Sequence, residues 1–205
     1  MVEDGKKLKR KDLSLSKALT SELKERQSVR ATFRLSEGCI DAISIVATQM
    51  GIKQKSLFDH LAEDMDSLRS IAREIKQMNI KKQGRIQKTF VISRKSLSSL
   101  DEISNRFNAS KDILVEYSIQ RLLPIISKER TKHEKRKEFL LKIKKHFQLG
   151  ETILNDIKKQ LGDDDPIINK FAMIMSSYEI VKDNMEAFID RSKDIENFDA
   201  ENMNP

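Results

Sequence analysis

The feature that most constrains this chain is a short pattern that occurs twice. Arg30-Ala31-Thr32-Phe33-Arg34-Leu35-Ser36 returns as Gln87-Lys88-Thr89-Phe90-Val91-Ile92-Ser93, at an offset of 57 residues. The apolar positions that follow keep the same register: Ile40 with Leu97, Ile43 with Leu100, Val46 with Ile103, Met50 with Phe107, Leu57 with Leu114, Phe58 with Val115 and Met65 with Leu122. Agreement in apolar phase over more than thirty positions identifies a duplicated unit. Each unit reads as a short alternating strand followed by two amphipathic helices.

In the first strand Phe33 and Leu35 share one face, and Thr32, Arg34 and Ser36 share the other. In the second, Phe90 and Ile92 face in while Thr89, Val91 and Ser93 face out. One strand of about seven residues is not stable alone, so it must pair with the other copy or with a strand of a second molecule. The first helix of copy one spans about Glu37 to Met50, with Ser36 as N-cap and Gly51 as the C-terminal stop. Copy two repeats it with Ser93 or Ser96 as cap and Asn108 in the glycine's place, Asn being tolerant of positive φ. The second helices begin near Lys53–Ser56 and near Ser110–Asp112. Their buried stripes are Leu57, Phe58, Leu61 and Met65 in one copy and Leu114, Val115, Ser118 and Leu122 in the other.

Strand, helix, glycine or asparagine turn, polar helix start and apolar helix together resemble the ribbon-helix-helix family, to which the Arc and Met repressors belong. Here the pattern is present as two tandem copies over residues 28–127. The resemblance implies an antiparallel two-stranded ribbon that enters the major groove and reads base edges with its outward side chains. The base readers are then Arg30, Thr32 and Arg34 in copy one and Gln87, Thr89 and Val91 in copy two. Arg suits guanine, Gln suits adenine, and the methyls of Thr and Val suit thymine. Val91 departs from the family's usual polar residue, so two unlike half-sites are expected. The resemblance also places DNA phosphates at the starts of the second helices, Lys53, Gln54, Lys55 and Ser56 in one copy and Ser110 and Lys111 in the other.

Charge distribution fits this expectation. The chain carries a formal charge of +7, unevenly spread: residues 1–127 hold 24 basic and 16 acidic side chains, residues 128–150 hold 9 and 3, and residues 151–205 hold 6 and 13. Positive charge therefore accompanies the reader and the helix after it, while the acidic last third is poorly suited to DNA. Cys39 is the only cysteine, which leaves no disulfide framework and no thiolate metal site. His60, His133 and His146 show no ligand spacing, and no phosphate loop or nucleophile motif is present, so neither an enzyme nor a cofactor is expected. No stretch reaches membrane-spanning length and no signal peptide follows the N-terminal lysines, which points to a cytoplasmic protein; a bacterial, phage or plasmid origin is what the resemblance implies.

The expected fold is mainly α with one short antiparallel β-ribbon. Residues 1–27 form a basic arm and a short helix bearing Leu15, Leu19 and Leu23, 28–78 the first copy, 79–85 a linker and 86–127 the second copy. Residues 128–196 form a helical hairpin and 197–205 a disordered tail. The second helix of copy one continues by period through Leu68, Ile71, Ile75 and Met78, about 23 residues or roughly 34 Å. A linker of about seven residues reaches only some 24 Å. Pairing within one chain, which effective concentration favours, then requires that helix to end early, bend or pack back. In the hairpin, Pro124 ends or kinks the preceding helix and a long helix follows from about Lys128 to Leu161 with an interruption at Gly150. Gly162 stops it, and a new helix starts with Asp165 as N-cap and Pro166 at the first helical position. The apolar stripes of the hairpin suggest a protein partner or a second copy. Double-stranded DNA and transcriptional repression are the expected partner and function. An accessory DNA-binding factor of plasmid transfer or partition, or an antitoxin acting through its C-terminal helices, are the alternatives.

Overall fold

Alternation along residues 28–36 and 85–93 produces the only two strands among the described residues, β1 (Ser28–Ser36) and β2 (Arg85–Ser93). The computed structural model describes residues 24–75 and 84–203. The expected arm at 1–12, Leu15, Leu19, Leu23, Met78 and most of the 79–85 linker lie outside them. The described residues fall into two compact units: one holds the chain up to Leu123 together with Asp199 onward, the other Pro124–Phe198.

In the first unit the strands pair antiparallel, with Thr32 opposite Thr89, Ser28 opposite Ser93 and Ser36 opposite Arg85. Each strand runs directly into a helix, α1 (Glu37–Met50) after β1; on the far side of α2 (Gln54–Glu63) and α3 (Met65–Ile75), α4 (Arg94–Phe107) follows β2. The junctions are fixed by capping. Ser36 Oγ accepts the Cys39 N–H at 3.4 Å, and Ser93 Oγ accepts the Ser96 N–H at 2.9 Å. Both first helices stop on a left-handed residue, Gly51 at φ 65° and Asn108 at φ 51°. A second helix follows each, α2 after the first stop and α5 (Lys111–Gln120) after the other.

The core lies beneath the ribbon. Leu35, Ile43, Phe58, Leu68, Ile92, Leu100, Ile103, Leu114 and Ile119 are fully buried there. Phe58 sits between the two strand aromatics, with ring centroids 5.4 Å from Phe33 and 5.2 Å from Phe90. Single burial of such a ring is worth about 1.5–3 kcal/mol, so the three form the unit's apolar centre.

Two carboxylates tie each strand end to the opposite half. Asp59 on α2 accepts the Ser93 N–H at 2.6 Å, and Glu116 on α5 accepts the Ser36 N–H at 3.0 Å. Glu116 also meets Arg85 Nη2 at 2.7 Å in a pair whose side chains are 0% and 9% exposed. Burial would by itself raise the Asp59 pKa, but hydrogen bonds from Lys55, Ser96 and the Ser93 N–H outweigh it and hold the group below the usual carboxylate value.

The long helix expected after Lys53 is broken at Asp64. That residue leaves the helix at φ −75°, ψ 81°, and its Oδ1 accepts the Ser67 N–H at 3.1 Å, which starts α3 as a separate helix. Leu68, Ile71, Ala72 and Ile75 then bury against α4 and α5, so α3 turns back along the unit instead of leading away. The early end removes the obstacle to pairing the two strands within one chain.

The expectation of a disordered tail at 197–205 is corrected by a 3-10 turn at Ala200–Met203 that packs on α1. Met203 is fully buried and its carbonyl accepts Gln120 Nε2 at 2.7 Å. Gly38 makes the approach possible, since a Cβ there would lie 2.6 Å from the Asn202 carbonyl carbon.

The second unit is an antiparallel hairpin of α6 (Leu123–Leu161) and α7 (Pro166–Arg191). The helix before Pro124 ends at Gln120, and Pro124 itself sits in the first turn of α6, where a missing N–H is harmless. Gly150 does not interrupt α6. It is buried where Met175 crosses, and a Cβ would lie 2.5 Å from the Met175 sulfur. Asp165 caps α7 by accepting the Ile167 N–H at 2.9 Å, with Pro166 at the first position and Gly162 at φ 84° before it. Lys144 to Glu186 at 2.6 Å and Phe147 against Tyr178 at 6.0 Å hold the two helices together. A 3-10 turn at Lys193–Glu196 folds back onto α6, where Arg130 donates to the carbonyls of Ile195 and Phe198.

Candidate nucleic-acid interface

Pairing in this register brings all six expected base readers onto one exposed face of the ribbon. Antiparallel partners point the same way, so the face consists of the pairs Arg30 with Val91, Thr32 with Thr89 and Arg34 with Gln87. All six are exposed, Val91 at 47%. The opposite face carries Ala31, Phe33, Leu35, Phe90 and Ile92, all buried. Arg30 and Arg34 supply two fixed positive charges to the open face, and none of the paired strand residues is acidic. At its middle the hydroxyls of Thr32 and Thr89 hydrogen-bond at 2.8 Å. Arg30 stands beside Val91 at one end and Arg34 beside Gln87 at the other, so the ends of the face differ in chemistry.

The expected phosphate contacts divide into two groups. Lys53, Gln54, Ser56 and Ser110 are exposed at the starts of α2 and α5. Neither helix start has a side-chain cap, in contrast to Ser36 and Ser93 on α1 and α4. First-turn N–H groups without a side-chain acceptor are donors that an anion can use. Lys55 and Lys111 are instead held by carboxylates, Lys55 by Asp59 at 2.5 Å and Lys111 by Asp101 at 2.7 Å. Lys55 thereby supports Asp59 under the ribbon end, a role the sequence reading did not assign. Asp59, Arg85 and Glu116, which fix the ends of the ribbon, were also missed. The signal was present, because Asp59 and Glu116 are acids at matching positions of the repeat.

One group of metal-ligating type assembles among the described residues, in the second unit: His133, Glu134 and Glu196, with donor atoms within 4.8 Å of one another. Lys137 occupies the charge of both carboxylates, 3.5 Å from Glu134 and 3.1 Å from Glu196, and His133 Nε2 bonds Glu196 at 2.7 Å. The cluster is satisfied as an ion-pair network. Among the described residues no helix is long and apolar enough to cross a membrane. Compared with protein-family models, curated proteins and solved structures, the chain matches none of them.

Proposed function

We propose that this chain is a sequence-specific double-stranded DNA-binding protein that reads the major groove with its β-ribbon and acts as a transcriptional repressor. The observation that carries the reading is the open face of Arg30, Thr32, Arg34, Gln87, Thr89 and Val91, two strands wide and without an acidic residue in either strand. A two-stranded ribbon fits the major groove, and these side chains match the groove's donors, acceptors and thymine methyls.

A tandem ribbon-helix-helix arrangement within one chain accompanies the proposal. It is supported by the register, in which the residues paired at the ribbon's centre, Thr32 and Thr89, are separated by the same 57 residues as the sequence repeat. Matched caps at Ser36 and Ser93, matched left-handed stops at Gly51 and Asn108, and the reciprocal bonds of Asp59 and Glu116 support it further. The two halves of the bound sequence then differ: Arg30 with Val91 favours guanine and thymine at one end, and Arg34 with Gln87 favours guanine and adenine at the other. Lys53 and Ser110 meet phosphates at the two uncapped helix starts.

Replacing Arg34 tests whether the face specifies sequence. Arg34→Ala is expected to lose about 1–3 kcal/mol at the preferred site and much less on random DNA. Binding of both DNAs, measured by fluorescence anisotropy at fixed salt, distinguishes the outcomes. Equal losses on the two DNAs would make Arg34 a phosphate contact and remove it from base reading.

A further inference from the structure

The outward face of α6 carries a row of lysines that the ion pairs of the hairpin leave open. Ile126, His133 and Leu140 recur every seven residues along the first part of α6 and are buried. Lys128, Lys135 and Lys142 each stand two residues after one of these, about 200° around the helix, and are exposed on the opposite side, with Lys145 one turn further on. None of the four has an ion-pair partner among the described residues, whereas carboxylates hold Lys132, Lys137 and Lys144. Glu138, exposed between Lys135 and Lys142, is the one acid within the row. Glu129 and Glu134 lie to its sides and are already neutralised, Glu129 by Lys132 at 2.5 Å and Arg136 at 3.1 Å, and Glu134 by Lys137 at 3.5 Å.

Charge and spacing select the occupant. Successive lysines of the row are about 10.5 Å apart, and the three span about 21 Å of helix. One strand of a DNA duplex presents a phosphate about every 3.4 Å, about six over that length, so a regular row of cations meets a regular row of anions. Single-stranded nucleic acid is held by stacking bases on open aromatic rings. Phe139, the aromatic residue amid the row, instead has Lys142 Nζ over its ring at 5.2 Å, which occupies the surface a base would use.

We propose that the face formed by Lys128, Lys135, Lys142 and Lys145 is a sequence-independent contact for the phosphate backbone of duplex DNA, distinct from the face of the ribbon. It stands apart from base reading, because it is measured on a duplex of scrambled sequence, where Arg34→Ala loses little. The ribbon reading fails on a missing sequence preference, and this contact fails on an unchanged salt dependence.

Fluorescence anisotropy of the full chain on a scrambled duplex, repeated over a series of salt concentrations, tests the proposal, with far-ultraviolet circular dichroism as the check on folding. Each phosphate contact adds about 0.9 to the slope of log affinity against log salt. The triple variant Lys128→Gln, Lys135→Gln and Lys142→Gln is therefore expected to lower that slope by about 2.7 and to weaken binding at least about tenfold. Arginine at the same three positions is expected to bind as the unmodified protein does. Lys158→Gln, Lys159→Gln and Lys170→Gln together remove equal charge from exposed positions elsewhere on the hairpin, and are expected to change the slope by less than about one. Should the first triple variant lose helicity, Lys135→Gln alone, expected to lower the slope by about 0.9, decides. An unchanged slope, equal losses from the two glutamine triples, or no binding of the scrambled duplex by the unmodified protein would overturn the proposal. So would a loss seen on vesicles of phosphatidylserine and phosphatidylcholine while duplex binding stays intact, which would make the face a membrane contact.

Discussion

Glu116→Ala is expected to destabilise the first unit by about 3–5 kcal/mol, among the largest effects of any single substitution in the chain. Glu116 is fully buried, and its carboxylate is the partner of both the Ser36 N–H, at 3.0 Å, and Arg85 Nη2, at 2.7 Å. Truncation leaves a guanidinium that is only 9% exposed without a counter-charge and a backbone donor without an acceptor. Removing both charges together, as Glu116→Leu with Arg85→Met, is expected to cost far less than Glu116→Ala, since a buried pair replaced by packed apolar groups is often neutral or stabilising. Urea denaturation measures both, read from the midpoint at unchanged slope. A loss below about 1 kcal/mol for Glu116→Ala would show that water reaches Arg85 and that the pair does not hold the ribbon end.

Phe33→Ala and Phe90→Ala are each expected to cost about 3–5 kcal/mol, the range for emptying a well-packed aromatic site. The rings are 3% and 5% exposed and both pack on Phe58. Their centroids lie 6.5 Å apart, so the double variant should cost measurably less than or more than the sum of the two. A small loss from either would mean that the strand is displaced by one residue, which would turn Arg30, Thr32 and Arg34 inward. The stability measurement thus also checks the orientation of the proposed reading face.

Much of the first unit is legible in the sequence because its signals are local and repeated. Alternation around Phe33 and Phe90, the serine caps and the Gly51 and Asn108 stops define strand, helix and turn without tertiary information. The break at Asp64 was hidden because the apolar period runs through it unchanged, from Leu61 and Met65 to Leu68 and Ile71. A single side chain that caps Ser67 decides the matter, and periodicity does not register it. The docking of Met203 was equally hidden, since one methionine near a chain end carries no period and its site depends on the missing Cβ of Gly38. Pro124 illustrates an ambiguity of residue type: the same ring that breaks a helix interior is well placed in a first turn. Of the candidate site, the outward strand residues were readable from alternation alone. The tying of Lys55 to Asp59 and of Lys111 to Asp101 was not, because side-chain partners across elements leave no mark in a linear pattern.

Selection of bound sequences from a random double-stranded DNA pool by the full chain, at a stated salt concentration, tests the central claim most directly. The account predicts enrichment of one non-palindromic site, with a guanine- and thymine-containing half lost on replacing Arg30 by Ala and a guanine- and adenine-containing half lost on replacing Arg34 and Gln87 by Ala. Recovery of no preferred sequence, or of a preference that survives alanine at all three positions, would contradict it.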